Sequence, residues 1–195
     1  MVVIAMRVIA GKAKGRKLIA PKGFSVRPTS DKVKGAVFNM LAQYGPLDSF
    51  LDLFAGSGAM GIEAWSRGAT RVVFVEKDRA AQRALQNNLQ AVGLTDATVL
   101  HVDWQAALRR LAGETFTVIY ADPPFLAGLY PLILEAVWEH RALGPQGILC
   151  LEHPQRLELV YGDEWNLLKT RRYGETAVTF LVPSVSGPKG GEERD

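Results

Sequence analysis

Three glycines stand at Gly56-x-Gly58-x-x-Gly61 within FAGSGAMG (54–61), between a short apolar run and a helix-patterned segment. This is the spacing of a dinucleotide-phosphate loop, and alone it does not separate NAD from another adenine nucleoside. Carboxylates accompany it. Asp52 precedes the loop, and Glu76 lies twenty residues after Gly56, where a carboxylate can accept both ribose hydroxyls of an adenosine. Asp103 is followed by Trp104, and Asp122-Pro123-Pro124-Phe125 comes later still. Pyrophosphate requires backbone amides at a helix N-terminus. S-adenosylmethionine has no phosphate; its methionine carboxylate can use those amides, while its amino group and sulfonium favour carboxylate or carbonyl neighbours. Asp52 suits that cationic end and Asp103 suits the adenine amino group, whereas neither would help to hold a diphosphate. Glycines without Cβ atoms admit the ligand. The donor-binding candidates are Asp52, Phe54, Ala55, Gly56, Ser57, Gly58, Glu76, Lys77, Asp103 and Trp104. Two blander readings stand beside these: Asp103 as the N-cap of a helix starting at Trp104, and Asp52 as a structural support for the loop.

ADPPF (121–125) supplies a chemical role that a hydride-transfer site would leave idle. Methylating an exocyclic amino group requires the nitrogen lone pair, delocalised into the base, to be aimed at the methyl. Acceptors for its two N–H groups, the Asp122 carboxylate and a backbone carbonyl such as that of Pro123, orient the nitrogen and stabilise its developing positive charge. Consecutive prolines stiffen the loop and present carbonyls without donors. Phe125 offers a face to a base that has left its stack. Asp122, Pro123 and Phe125 are the catalytic candidates. The alternative for DPP alone is a rigid strand-to-loop turn. His101 and His153 read as packed or exposed, and no nucleophile–base pair is evident.

The elements that must position these residues follow from periodicity. MRVIAG and RKLIAP flank GKAKG as a small basic hairpin, and Pro21, Gly23 and Pro28 leave residues 20–29 irregular. Val33, Val37, Phe38 and Leu41 predict a helix from Ser30, its N-cap, to Gln43, with Gly35 inside it. From residue 50 strands and helices alternate: strands at 50–54, 71–76, 97–102, 116–121 and 147–152, with helices to about Arg67, over 78–93, over 104–113 and near 128–142. The strands are almost continuously apolar, as in a doubly wound α/β parallel sheet with ligands at the strands' carboxyl ends. Residues 165–182 predict a final antiparallel pair turning at Gly174-Glu175, and the tail after 183 reads as disordered. The division is 1–29, basic hairpin and substrate loop; 30–183, the α/β domain; 184–195, the tail.

The composition, 48% hydrophobic and 22% charged over 195 residues, fits a globular chain with one substantial core. No window offers the roughly 18 apolar residues of a membrane span, MVVIAMR lacks the pattern of a signal peptide, and the cytoplasm is the expected compartment. Cys150 cannot form an intramolecular disulfide, and three scattered histidines give no metal-ligand spacing, so no metal is expected. The net charge of +3 conceals a split: residues 1–35 hold nine Lys/Arg against Asp31, so they carry +8 and the rest −5. A basic arm on an acidic body points to a polyanion, nucleic acid above all, contacted by Arg7, Lys12, Lys14, Arg16, Lys17 and Lys32.

Over residues 7–182 the chain resembles the RsmD family of bacterial 16S rRNA guanine-N2 methyltransferases, on RVIAGKAKGRKL, RPTSDKVKGAVFNML, FLDLFAGSGAMGIEAWSRGA, VVFVEKD and ADPPF. The basic hairpin joined to RPTSDKVK is the most discriminating part. The resemblance implies a Class I methyltransferase fold of seven strands, S-adenosyl-L-methionine as donor, and one guanine of 16S rRNA, in the assembling small subunit, as acceptor. It implies that Glu76 is the ribose acid, Asp122 the amino-group acid, and Arg27 and Thr29 the substrate-loop residues. The chain departs from the family at Lys34-Gly35, often Arg-Glu, and at Ala10-Gly11, usually paired glycines; MVVIA precedes the common beginning, with Met6 as an alternative start. A monomer is expected. The rivals are a DNA adenine-N6 methyltransferase, a release-factor glutamine methyltransferase, an NAD-dependent oxidoreductase, and a non-catalytic RNA-binding assembly factor.

Overall fold

A computed structural model describes residues 6–21, 31–125 and 128–184. Ser30, Arg27, Thr29 and the tail from 185 lie outside the described residues, as does most of the segment expected to be irregular. Nine strands and five helices occur among those described: β1 (Met6–Arg7), β2 (Lys17–Leu18), α1 (Asp31–Leu41), β3 (Ser49–Asp52), α2 (Ala59–Ser66), β4 (Arg71–Val75), α3 (Arg79–Val92), β5 (Thr98–Leu100), α4 (Trp104–Arg110), β6 (Phe116–Ala121), α5 (Leu129–Glu139), β7 (Leu143–Pro154), β8 (Trp165–Tyr173) and β9 (Thr176–Pro183). The seven-stranded sheet has the order β5-β4-β3-β6-β7-β9-β8. All its pairs from β5 to β7 are parallel, while β9 runs antiparallel to both β7 and β8. This is the Class I methyltransferase fold with a C-terminal antiparallel hairpin.

The inner strands are apolar on both sides because both faces are covered. One face packs α1, α2 and α3 through residues such as Val37, Phe38, Ile62 and Leu85. The other packs α4 and α5 through Leu108, Ile133 and Val137. Strand order reverses between β3 and β6, so a crevice opens at their carboxyl ends. Helix boundaries follow local chemistry: Asp78 caps α3 by accepting from the Ala80 and Ala81 amides, and Gly93 ends it in the left-handed region. β7 is longer than its apolar stretch predicts. It begins at Leu143 and reaches its regular register through an irregularity opposite Phe116 and Val118.

The basic hairpin forms as expected, with Met6 opposite Leu18 and Arg7 opposite Lys17. It shares the core of the sheet, to which it contributes Met6, Val8, Ala13 and Leu18. Buried polar side chains stitch it down. Glu63 of α2, fully buried, accepts from the Ile9 and Ala10 amides at 2.8 and 3.0 Å. Ser66 accepts from the Ala13 amide at 2.9 Å and donates to the Ala10 carbonyl at 2.6 Å. Asn88 of α3 pairs with both backbone groups of Ile19. Gly11 allows the contact: its φ is +80°, and a Cβ there would lie 1.7 Å from the Ser66 carbonyl oxygen.

Lys34 is a correction to the charge reading. It is 1% exposed on α1, donates to the Arg7 carbonyl at 2.5 Å and lies 3.5 Å from the Glu63 carboxylate, which Arg67 also engages at 2.8 Å. Its charge belongs to an internal cluster rather than to the surface. Arg7 remains exposed but pairs with Asp31 at 2.9 Å.

Candidate functional site

Asp52, Glu76 and Asp122 stand at or just past the carboxyl ends of β3, β4 and β6, three adjacent strands. Between them lies the glycine loop. Its turn is closed by the Gly58 amide donating to the Ala55 carbonyl at 2.7 Å, and Gly58, at φ +81°, precedes α2. Glu76 ties the loop to β4: one carboxylate oxygen accepts from the Gly56 amide at 2.8 Å, the other from the Asp78 amide at 2.7 Å. Each oxygen keeps a lone pair for a further donor.

The glycines divide between admitting a ligand, the role the sequence suggests for the loop, and packing. A Cβ on Gly56 would meet nothing within 4 Å, so this residue alone borders open space. A Cβ on Gly58 would lie 2.4 Å from Leu85, and one on Gly61 would lie 2.3 Å from the Phe74 ring. These two glycines let α2 pack closely on α3 and β4.

Asp52 is 2% exposed and accepts from the Gly61 amide at 3.0 Å, satisfying one of the free N–H groups in the first turn of α2. The support role weighed for it in sequence is therefore present. Burial pushes its pKa up to about 7; the Glu76 charge adds to the rise and the Gly61 bond opposes it. Ser57 is buried and its hydroxyl faces the hairpin, 3.7 Å from the Met6 sulfur, rather than the loop's open side. Ala55 is buried, Lys77 is exposed, and Phe54 is half-buried with its ring 6.4 Å from that of Trp104. Asp103 is the N-cap of α4, accepting from the Ala106 amide at 2.8 Å.

On the acceptor side, Asp122 is half-buried, Pro123 buried and Phe125 56% exposed. No hydrogen bond reaches the Asp122 carboxyl among the described residues. Burial holds its pKa well above the ordinary carboxylate range, and the charges of Glu152 and Asp52 raise it further. Glu152, on β7, was not singled out in the sequence because it closes an apolar run that reads as a plain strand. It is 6% exposed, receives a hydrogen bond from the Tyr120 hydroxyl, and is itself shifted upward by burial. Tyr130, at the start of α5, is also buried, and burial followed by the charges of Asp122 and Glu152 raises its pKa. Carboxyl groups thus crowd one end of the sheet, and this crowding favours their neutral forms.

The substrate candidates described lie on the N-terminal hairpin and α1. Lys12 sits 3.9 Å above the Trp65 ring, and Lys14, Arg16, Lys17 and Lys32 are exposed. His153 is packed, its Nε2 2.8 Å from the Thr179 hydroxyl, and His101 is exposed. A cavity of about 940 Å³ opens at the opposite end of the strands, by the starts of β3 and β6, beside Phe38, Tyr44, Ser49 and Gly147. Its only charged lining residues are Asp48 and Arg67, so the carboxyl-end crevice is the chemically equipped one. No group of three or more His, Cys, Asp or Glu side chains suited to a metal ion occurs among the described residues.

Known proteins agree with this geometry. Ribosomal RNA small subunit methyltransferase D of Haemophilus influenzae is 34% identical over 172 residues, covering 87% of this chain and 89% of that protein. Its Escherichia coli K12 namesake is 32% identical over 183 residues, covering 93% and 92%. A solved structure from Thermus thermophilus, described as a hypothetical protein, superposes with a TM-score of 0.78 at 36% identity, covering 91% of this chain and 99% of that one. The family model for conserved hypothetical protein 95 matches residues 6–182. The chain belongs to that family, which is the RsmD family its hairpin, glycine loop and ADPPF resemble.

Proposed function

We propose that the chain methylates the exocyclic N2 of a guanine in 16S rRNA, with S-adenosyl-L-methionine as donor. The observation that carries this reading is the arrangement at three adjacent strand ends: Glu76 on the Gly56 amide, and Asp122 next to Pro123 on the neighbouring side. The residues suit this donor better than a dinucleotide. The loop amide that would cradle a pyrophosphate is already taken by the Glu76 carboxylate, and Asp52 takes the Gly61 amide of α2. A diphosphate would meet carboxyl oxygens there, whereas a nucleoside with hydroxyls and a cationic amino acid end meets acceptors. Bound S-adenosylmethionine supplies an electrophilic methyl group on a sulfonium.

The chain's part is to hold and aim the acceptor nitrogen. Asp122 and the Pro123 carbonyl accept its two N–H groups, fix the direction of its lone pair and offset the positive charge that grows on it. The nitrogen then sheds one proton. Asp122 takes it when it enters the step as the carboxylate, the form that burial and the neighbouring carboxylates disfavour and that therefore binds the proton strongly. Phe125, exposed beside the pocket, offers a stacking face to an extruded base. The hairpin lysines and arginines supply phosphate contacts that position the RNA without reading its sequence.

Incubation with methyl-labelled donor and naked 16S rRNA, assembling small subunits or duplex DNA tests the reading. Label should enter an rRNA-containing substrate and appear as N2-methylguanine on nucleoside digestion. Label in adenine of DNA would replace this reading with the adenine-N6 one, and binding of rRNA with no transfer in any arm would leave the assembly-factor alternative.

A further inference from the structure

β8 is the last strand of the sheet, and its outer edge carries Lys169, Thr170, Arg171 and Arg172, all exposed, with no acidic residue between Trp165 and Tyr173. None of the three cations forms an ion pair among the described residues. Their position follows from the register. Arg171 lies opposite Val178, and Val178 opposite Glu152. Glu152 follows Leu151, the partner of Ala121, so it stands level with Asp122. Arg171 is therefore at the height of Asp122, three strands across, or roughly 14 Å at the usual inter-strand spacing.

The face is fixed as well. Directly paired residues on neighbouring strands point to the same side of a sheet. Lys169 pairs with Phe180 and Arg171 with Val178, and both partners belong to the core shared with the N-terminal hairpin and α1. Lys169 and Arg171 thus stand on the hairpin's face of the sheet, at the catalytic end. The acids near these residues in strand register are Glu175 at the turn and the largely buried Glu152.

We propose that Lys169 and Arg171 form a second contact surface for the RNA sugar–phosphate backbone, gripping nucleotides next to the extruded base on the acceptor side. The inference rests on the rRNA reading above. The N-terminal hairpin and this strand hold the polyanion from two separated positions, with Asp122 at the level of the second. Cations on an edge strand also discourage edge-to-edge pairing between copies, and the test separates the two roles.

The experiment compares the wild type with a Lys169→Gln/Arg171→Gln double variant in binding to a 16S rRNA fragment across a salt series, at several protein concentrations. Losing two phosphate contacts lowers the slope of log K against log[salt] by about 1.4 to 1.8. Donor affinity, melting temperature and sedimentation as the wild-type species stay unchanged, and KM for RNA rises more than kcat falls. The charge-preserving Lys169→Arg/Arg171→Lys variant restores the slope, and Arg109→Gln/Arg110→Gln on α4, another exposed basic pair, leaves it untouched. An unchanged slope in the double variant, or a change confined to self-association, overturns the proposal. Absence of rRNA methylation by the wild type would instead sink the functional reading on which it rests.

Discussion

At the scale of single residues, the crowded carboxyl groups make pH the informative variable. Asp52 has an ordinary value of 3.8 and stands near 7 in the folded chain. Between those values the native state keeps a proton that the unfolded state has released, so the group's stabilising effect is full below about pH 4 and is lost as pH rises to 7. The loss amounts to about 4 kcal/mol at most. Asp52→Asn keeps an acceptor for the Gly61 amide and carries no charge, so its thermal stability at pH 8 should exceed that of the wild type. The gap between the two proteins should close on acidification to pH 4, as thermal melts across that range will register. Asp122→Asn should leave donor binding intact by calorimetry and reduce methyl transfer about a hundredfold or more, since it keeps a carbonyl acceptor but removes the proton sink and the negative charge that offsets the positive nitrogen. Asp52, Glu76 and Asp122 are legible in the sequence because each ends an apolar strand, Asp52 just before the glycine loop, Glu76 twenty residues after Gly56 and Asp122 ahead of two prolines. Glu152 and Lys34 are not. What makes them notable is burial beside partners such as Tyr120, 32 residues away, and Glu63, and no local pattern encodes that pairing.

At the scale of elements, α2 is the hub, because its two ends serve different purposes. The first turn presents the Gly61 amide to Asp52, and the last turn holds the hairpin through Glu63 and Ser66. Glu63→Gln leaves the Lys34 ammonium buried without its counter-charge, a change that typically costs about 3 to 5 kcal/mol. The expected signature is a large drop in melting temperature accompanied by faster amide exchange in residues 6–20. If exchange in the hairpin is unaffected, the cluster is not what fastens it. The order of strands and helices is legible from hydrophobic periodicity, and the C-terminal hairpin from its Gly174-Glu175 turn. The docking of the N-terminal hairpin is less so. Gly11 reads as a turn glycine, whereas its main service is to admit the Ser66 carbonyl, a contact 55 residues distant in the chain.

At the scale of the whole molecule, charge is arranged rather than merely abundant. With Lys34 internal and Arg7 engaged by Asp31, the hairpin's free cations reduce to Lys12, Lys14, Arg16 and Lys17, and Lys12 lies on the Trp65 ring. Replacing those four by Gln should weaken rRNA binding and reduce its salt slope by about 3, with donor affinity preserved; a smaller reduction would count how many of them reach phosphate. The same hairpin, anchored through Glu63, Ser66 and Asn88 into the core that backs the catalytic crevice, has a geometric consequence. If the proposed function holds, lysines fixed in place relative to Asp122 would make the protein a caliper: a guanine would be offered to the pocket only where the RNA brings phosphates and that base to the matching separation.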